Sequence, residues 1–203
     1  MHEETLAKPT RKLFDKLAES PWISDFYLAG GTALAMRLGH RVSVDLDFFS
    51  EKAFNEAALI DKLVSIGDLR IFQKAPRSVT GSIDEVKVSF LGYEYPILTT
   101  GTLWSGVTIA SMEDIACMKL DALSSRGTKR DFIDLYFIAK QIPLIDILRL
   151  FEQKFAAIRY NILHIKKSLV YFEDAESEPM PKMLVPVEWR AVKEFFIQQA
   201  LSL

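Results

Sequence analysis

Phe26-Tyr27-Leu28-Ala29-Gly30-Gly31-Thr32-Ala33-Leu34-Ala35-Met36-Arg37-Leu38-Gly39, continued by His40-Arg41-Val42-Ser43-Val44-Asp45-Leu46-Asp47-Phe48-Phe49, is the stretch that decides the fold. Phe26 to Ala29 is an apolar run of strand length. It stops at Gly30-Gly31, where bulkier residues would obstruct a tight turn and a close ligand. Thr32 and the helix formers Ala33, Leu34, Ala35, Met36 and Leu38 follow, up to Gly39. A strand, a glycine turn and a helix N-terminus together make an anion site, because free backbone N–H groups and the helix dipole both favour phosphate.

Val42 to Phe49 reads as a second strand with alternating faces. Val44, Leu46 and Phe48 take one face, and Ser43, Asp45 and Asp47 the other. Two carboxylates side by side repel unless a cation lies between them. Mg²⁺, with Mn²⁺ as the alternative, is the hard cation for such oxygen ligands, and it recruits substrate phosphates. Taken singly, each half has a plain explanation. A lone Gly-Gly is most often only a turn, and an Asp-x-Asp is most often a solvated strand face or pairs with Arg41 or Lys87. In strand–Gly-Gly–helix–strand–Asp-x-Asp order, phosphate and metal binding become the better reading.

Two later stretches add to it. "IASMEDIACMKLDAL" (109–123) begins with Ser111 as a helix cap and carries Lys119 among apolar residues. That lysine either snorkels to solvent or serves a site. "RGTKRDFIDLYFIA" (126–139) opens with a compact basic turn, and Thr128 is placed to cap the next helix. On that helix Asp131 and Asp134 are three apart and share a face. They either pair with Arg126, Lys129 or Arg130, or orient a cation and accept a proton.

These three stretches, in this order, resemble the AbiEii/AbiGii toxin family within the minimal nucleotidyltransferase superfamily. The resemblance runs from about Tyr27 to Ala139. It implies an NTP bound between an α/β core and a helical lobe, with Asp45 and Asp47 on Mg²⁺. It also implies Gly30, Gly31 and Thr32 on the outer phosphates and Lys119 as a site cation. Arg126 and Arg130 are further phosphate contacts, and Asp131 and Asp134 are site residues with roles left open. Family members act as toxins in toxin–antitoxin and phage-defence pairs, and some modify the acceptor end of tRNA. A tRNA acceptor and an antitoxin partner are therefore expected. A non-catalytic nucleotide-binding or protein-interaction protein of the same fold is the alternative.

One departure stands out. Many superfamily members carry a third carboxylate on the strand beside the Asp-x-Asp strand, and here that position is Ser89. Water, Glu85 or Asp84 could substitute; metal binding could await the substrate phosphates; or catalysis could be lost. Lys87, on the same face, is another cation for the site.

The remainder sets bounds. The chain has 203 residues, 49% hydrophobic and 26% charged, with a net charge of −2, so nucleic-acid contacts must come from a local patch. The Arg126–Arg130 turn with Arg37 and Arg41 is that patch. Cys117, the single cysteine, sits in an apolar helical run and reads as core. No apolar run is long enough for a membrane helix and the first residues are charged, so a soluble cytoplasmic protein is expected.

The expected fold is α/β (α+β): a small mixed sheet with flanking helices over 1–110, then a helical lobe over 111–203. Expected elements are a helix over Glu3–Ser20, a helix over Phe54–Ile66, and strands over Leu69–Lys74, Ser78–Ser82 and Glu85–Leu91, with a turn at Gly81-Ser82. One strand over Leu103–Ala110 follows, then helices over Leu144–Ala157, Tyr160–Tyr171 and Glu188–Leu201, with 173–186 as loop. Trp189, Val192, Phe196 and Ile197 are read as an anchor for the last helix, with a partner-binding face as the alternative.

Overall fold

The computed structural model describes residues 1–201; residues 202 and 203, the tail of the expected helical lobe, lie outside the described residues. A single helix over 3–20 does not form. Glu3–Thr5 is one 3-10 turn, and α1 (Lys8–Ala18) starts afresh with Pro9 in its first turn, where the missing N–H costs nothing. The break exists because Thr5 and Ala7 give their backbone groups to Ser43 instead.

β1 (Tyr27–Ala29) runs into α2 (Gly30–Leu38) without a linker. β2 (Leu46–Ser50) starts four residues later than the side-chain alternation suggests. Arg41 and Ser43 form isolated bridges to Met183 and Leu6, and Val42 N–H bonds the Lys182 carbonyl at 2.8 Å. Val44 consequently stays 49% exposed, while Leu46 and Phe48 are fully buried.

α3 (Glu56–Val64) is capped by Asn55. β3 (Leu69–Ala75), β4 (Ser78–Ile83) and β5 (Val86–Gly92) form a meander. Its second turn is at Asp84-Glu85, both at positive φ, whereas Gly81 and Ser82 lie inside β4. The stretch after Gly101 is a hairpin, β6 (Thr102–Trp104) and β7 (Val107–Ile109), turning at Ser105-Gly106, rather than one strand.

The helical half comprises α4 (Met112–Ser125), α5 (Lys129–Ala139), α6 (Leu144–Lys154), α7 (Ile162–Ser168), α8 (Glu173–Glu176) and α9 (Trp189–Ala200). Ser111 and Thr128 cap α4 and α5 as their sequence positions predict. The 173–186 segment is not wholly loop, since it holds α8 and then crosses to Arg41. On α9, Val192 and Phe196 are buried, but Ile197 is 49% exposed and is not part of the buried anchor.

The seven strands make one mixed sheet in the order β3-β4-β5-β2-β1-β7-β6. β2 is antiparallel to β1 and parallel to β5, and β1 is parallel to β7. One apolar cluster runs from Leu6 through Phe48 and Phe90 to Phe132 and Phe196, so sheet and helices share a core. Cys117 is part of it, and burial pushes its thiol up to about 12. Lys154 and Asp114 form a buried pair at 2.6 Å that also holds the Pro96, Leu98 and Thr99 backbone, tying the 93–101 segment to α4 and α6. Among the described residues no helix is long and apolar enough to cross a membrane.

Candidate active site

The site forms where β1 ends. Ala29 pairs with Asp47 across the β1–β2 ladder, so the glycine corner and the second carboxylate are neighbours by register. Gly30 adopts φ +66°, and a Cβ there would lie 3.1 Å from Asp47 Oδ2. A Cβ on Gly31 would collide with the Arg41 guanidinium. Both positions therefore need glycine, one for backbone shape and one for space. Thr32 is buried, and its hydroxyl donates to the Asp45 carbonyl while sitting 2.8 Å from Ser43 Oγ. It locks the approach to β2 in place.

Asp45 is one-third exposed just before β2, and Asp47 lies within it. Burial raises the Asp47 pKa; the Ser89 hydroxyl offsets part of the rise, and the neighbouring Asp45 charge adds to it. Ser89 stands opposite Asp47 in the parallel β2–β5 register. Lys87 lines the same cleft. Asp84 does not reach the cleft: it pairs with Lys16 at 2.9 Å and accepts from Asp68 N–H at the far turn. Glu85 shares that turn and also lies outside the cleft lining. Among the described residues no group of three His, Cys, Asp or Glu is arranged for a metal ion. Apart from Asp131, which Lys119, Arg126 and Thr128 hold, the acids that line the cleft among the described residues are Asp45 and Asp47.

Across the cleft, Lys119 is 6% exposed, so it does not snorkel to water. Its Nζ lies 2.9 Å from Asp131 Oδ1 and 2.7 Å from Asp134 Oδ2. Burial alone would lower its pKa, but the two aspartates override that and raise it. Asp131 also accepts from Arg126 Nε at 2.9 Å and from Thr128 Oγ1 at 2.6 Å. Burial would raise its carboxyl, yet Lys119 and Arg126 hold it at about 2. Asp134 takes a two-pronged bond from Arg41, at 2.7 and 2.8 Å, and a further 2.8 Å bond from His40 Nε2. It is fully buried, and Arg41 and Lys119 overcome burial to hold its pKa far below the carboxylate range.

The structure thus brings Gly31, Thr32, Asp45, Asp47, Lys119, Arg126, Arg130 and Asp131 around one cleft of about 340 Å³. Asp134 stands behind its wall. Arg130 Nη1 is 4.0 Å from Asp45 Oδ2 and stays half exposed. Three cations of the expected basic patch are otherwise engaged. Lys129 is buried against the Glu176 and Glu178 carbonyls. Arg37 bonds Ala110 O at 2.5 Å and Ile109 O at 3.0 Å. Arg41 is committed to Asp134 rather than to Asp45 or Asp47. Ser43 lines the cleft on the face the strand alternation gave it, whereas His40 and Thr80 contribute to the site or its support with no signal in the sequence. The contact from His40 to Asp134 spans 94 positions, and only the tertiary fold closes it.

A family model described as "Nucleotidyl transferase AbiEii toxin, Type IV TA system" matches residues 11–106 and 103–202. The chain belongs to this AbiEii nucleotidyltransferase toxin family. A protein of Aquifex aeolicus (strain VF5), described as "Uncharacterized protein aq_aa25", is 38% identical over 197 residues, 94% of each chain. Among solved structures, JHP933 from Helicobacter pylori superposes with a TM-score of 0.58 at 20% identity, covering 99% of this chain and 89% of its own. MenT4, a nucleotidyltransferase toxin from Mycobacterium tuberculosis, gives 0.58 at 15% identity, covering 100% and 88%. At these identities the structural likeness establishes the shared α/β fold of the AbiEii chain.

Proposed function

We propose that this AbiEii-family chain transfers a nucleoside monophosphate from an NTP to an acceptor hydroxyl in a Mg²⁺-dependent reaction. It would act as the toxin of a toxin–antitoxin or phage-defence pair, with the acceptor end of tRNA as substrate and an antitoxin as partner. One observation carries the reading: Gly31 of the glycine corner, the Asp45–Asp47 pair and the Lys119–Arg126–Arg130 wall line a single cleft, with Gly30 packed beside Asp47 outside that lining. Glycine backbone, paired acids and cations are the three parts phosphoryl-group chemistry requires.

The residues present fit a hard dication. Both donors are carboxylate oxygens, and Asp47's raised pKa reflects burial together with the neighbouring charge of Asp45. Asp45 and Asp47 would hold the ion, with the Ser89 hydroxyl and water in place of a third acid. When bound it would neutralise charge at the α-phosphorus and on the leaving pyrophosphate.

The protein's own residues supply positioning and charge. Backbone N–H groups at the start of α2 face the outer phosphates. Lys119 stays protonated between two aspartates and presents a fixed positive charge. Asp131 sets the geometry of Lys119 and Arg126. With its carboxyl held at about 2 and its oxygens engaged, it is a poor proton acceptor, and so is Asp134. Both serve as positioning residues, and the acceptor hydroxyl's proton leaves to solvent.

The test is transfer of label from each α-labelled NTP to a tRNA pool with Mg²⁺, comparing the wild type with Asp47→Asn. Labelled RNA from the wild type alone supports the proposal; equal labelling by the variant refutes the site. A second reading, nucleotide binding without catalysis, is favoured by Ser89. It predicts NTP binding with no pyrophosphate released.

A further inference from the structure

A second cavity, of about 320 Å³, shares Arg126 with the catalytic cleft. It is bounded by the last turn of α4, by α7 and by the segment leading into α8, and its wall exposes mostly carbon. The Arg126–Thr128 turn is the partition, with Thr128 lining the cleft, Gly127 the cavity and Arg126 both. Nothing in the transfer chemistry described above uses this space.

We propose that the cavity binds a nucleobase whose phosphates lie in the cleft on the other side of Arg126. The inference rests on the nucleotidyl-transfer reading and adds to it the place where a base is held. Its volume is in the range of small-molecule sites, and its predominantly apolar wall with a few polar groups is what a flat heterocycle requires. Three planar groups line it. The Arg126 guanidinium is held by Asp131 through bonds of 2.9 and 3.3 Å. The His164 ring is held by Nε2 donating to the Ser124 carbonyl at 2.9 Å. The Tyr171 ring is half exposed beside them. Guanidinium planes and aromatic rings are the surfaces on which unpaired bases stack. Lys167 and Asp174 add a donor and an acceptor for a base edge.

The base can come from the donor NTP or from the terminal nucleotide of the acceptor. Calorimetric titration with Mg²⁺ separates these sources. Wild type, Ser125→Trp, which fills the cavity, and Tyr171→Ala, which removes a stacking face, are each titrated with the four NTPs, with tripolyphosphate and with a tRNA pool. The expected result is that the wild type binds at least one NTP more tightly than tripolyphosphate. Both variants then lose about tenfold on that NTP, with tripolyphosphate affinity unchanged. The same loss on tRNA alone assigns the base to the acceptor end and also supports the cavity. Unchanged NTP and tRNA affinities in both variants overturn the cavity assignment, as does a parallel fall for tripolyphosphate. A wild type that binds neither tripolyphosphate nor any NTP overturns the nucleotidyl-transfer reading together with the cavity. Melting curves of the two variants, which alter the cavity in opposite senses, show that each is folded.

Discussion

Lys119 Nζ lies 2.7 Å from Asp134 Oδ2, with both side chains almost entirely out of solvent. Asp134 simultaneously holds Arg41 and His40, so one carboxylate joins α2's exit, α4 and α5. Such a buried hub is costly to break, because removing one partner strands the others without compensation. Asp134→Ala is expected to cost about 3–5 kcal/mol, since it leaves Arg41 without its carboxylate in the interior and Lys119 with Asp131 alone. Urea unfolding of the variant measures it; a loss below 1 kcal/mol would show that the hub is not holding the lobe.

Acid should weaken the same wall. Asp131 is held at about 2 in the folded chain against an ordinary 3.8. Its folded value is the lower one, so the stability it contributes is complete above about pH 4 and is lost as pH falls toward 2. The depression corresponds to about 2 kcal/mol. Melting temperature against pH for wild type and Asp131→Asn should converge over that interval. Parallel curves down to pH 2 would contradict the assignment.

The opposition of Ser89 and Asp47 makes a gain-of-ligand test available. Ser89→Asp adds a third carboxylate beside two others, so the metal-free variant should melt lower than the wild type. Mg²⁺ should then raise its melting temperature by more than it raises the wild type's. An equal response to Mg²⁺ in both would mean that position 89 does not face the ion.

Gly31→Ala tests the corner by space alone. The added methyl meets the Arg41 guanidinium, which cannot retreat without releasing Asp134. A destabilisation of about 1–3 kcal/mol is expected, with transfer activity reduced more than tenfold. Full activity at unchanged stability would show that the arginine has room to move.

Asp45→Asn should abolish label transfer and leave the melting temperature within about 1 °C of wild type, because Asp45 is partly exposed and its ion pair with Arg130 is long, at 4.0 Å, and open to solvent. Activity within threefold of wild type would remove Asp45 from the site.

The sequence alone determined the local parts. Strand-length apolar runs, the glycine pair, the caps Ser111 and Thr128, and the helical spacing of Asp131 and Asp134 are all set by neighbours a few residues away, so they could be read directly. Tertiary structure decided whatever depends on distant backbone partners. Arg41, Val42 and Ser43 bond to Met183, Lys182 and Leu6 instead of extending β2, which turns Val44 outward. It also decided what each charge faces. Lys129, Arg37 and Arg41 are indistinguishable in sequence from Arg126 and Arg130, yet remote carbonyls hold Lys129 and Arg37 away from the cleft, Asp134 ties Arg41 into its wall, Asp131 holds Arg126 there, and Arg130 stays half exposed beside Asp45. Backbone propensity acts over a single turn, whereas Coulomb and hydrogen-bond partners are chosen only once the chain has closed on itself.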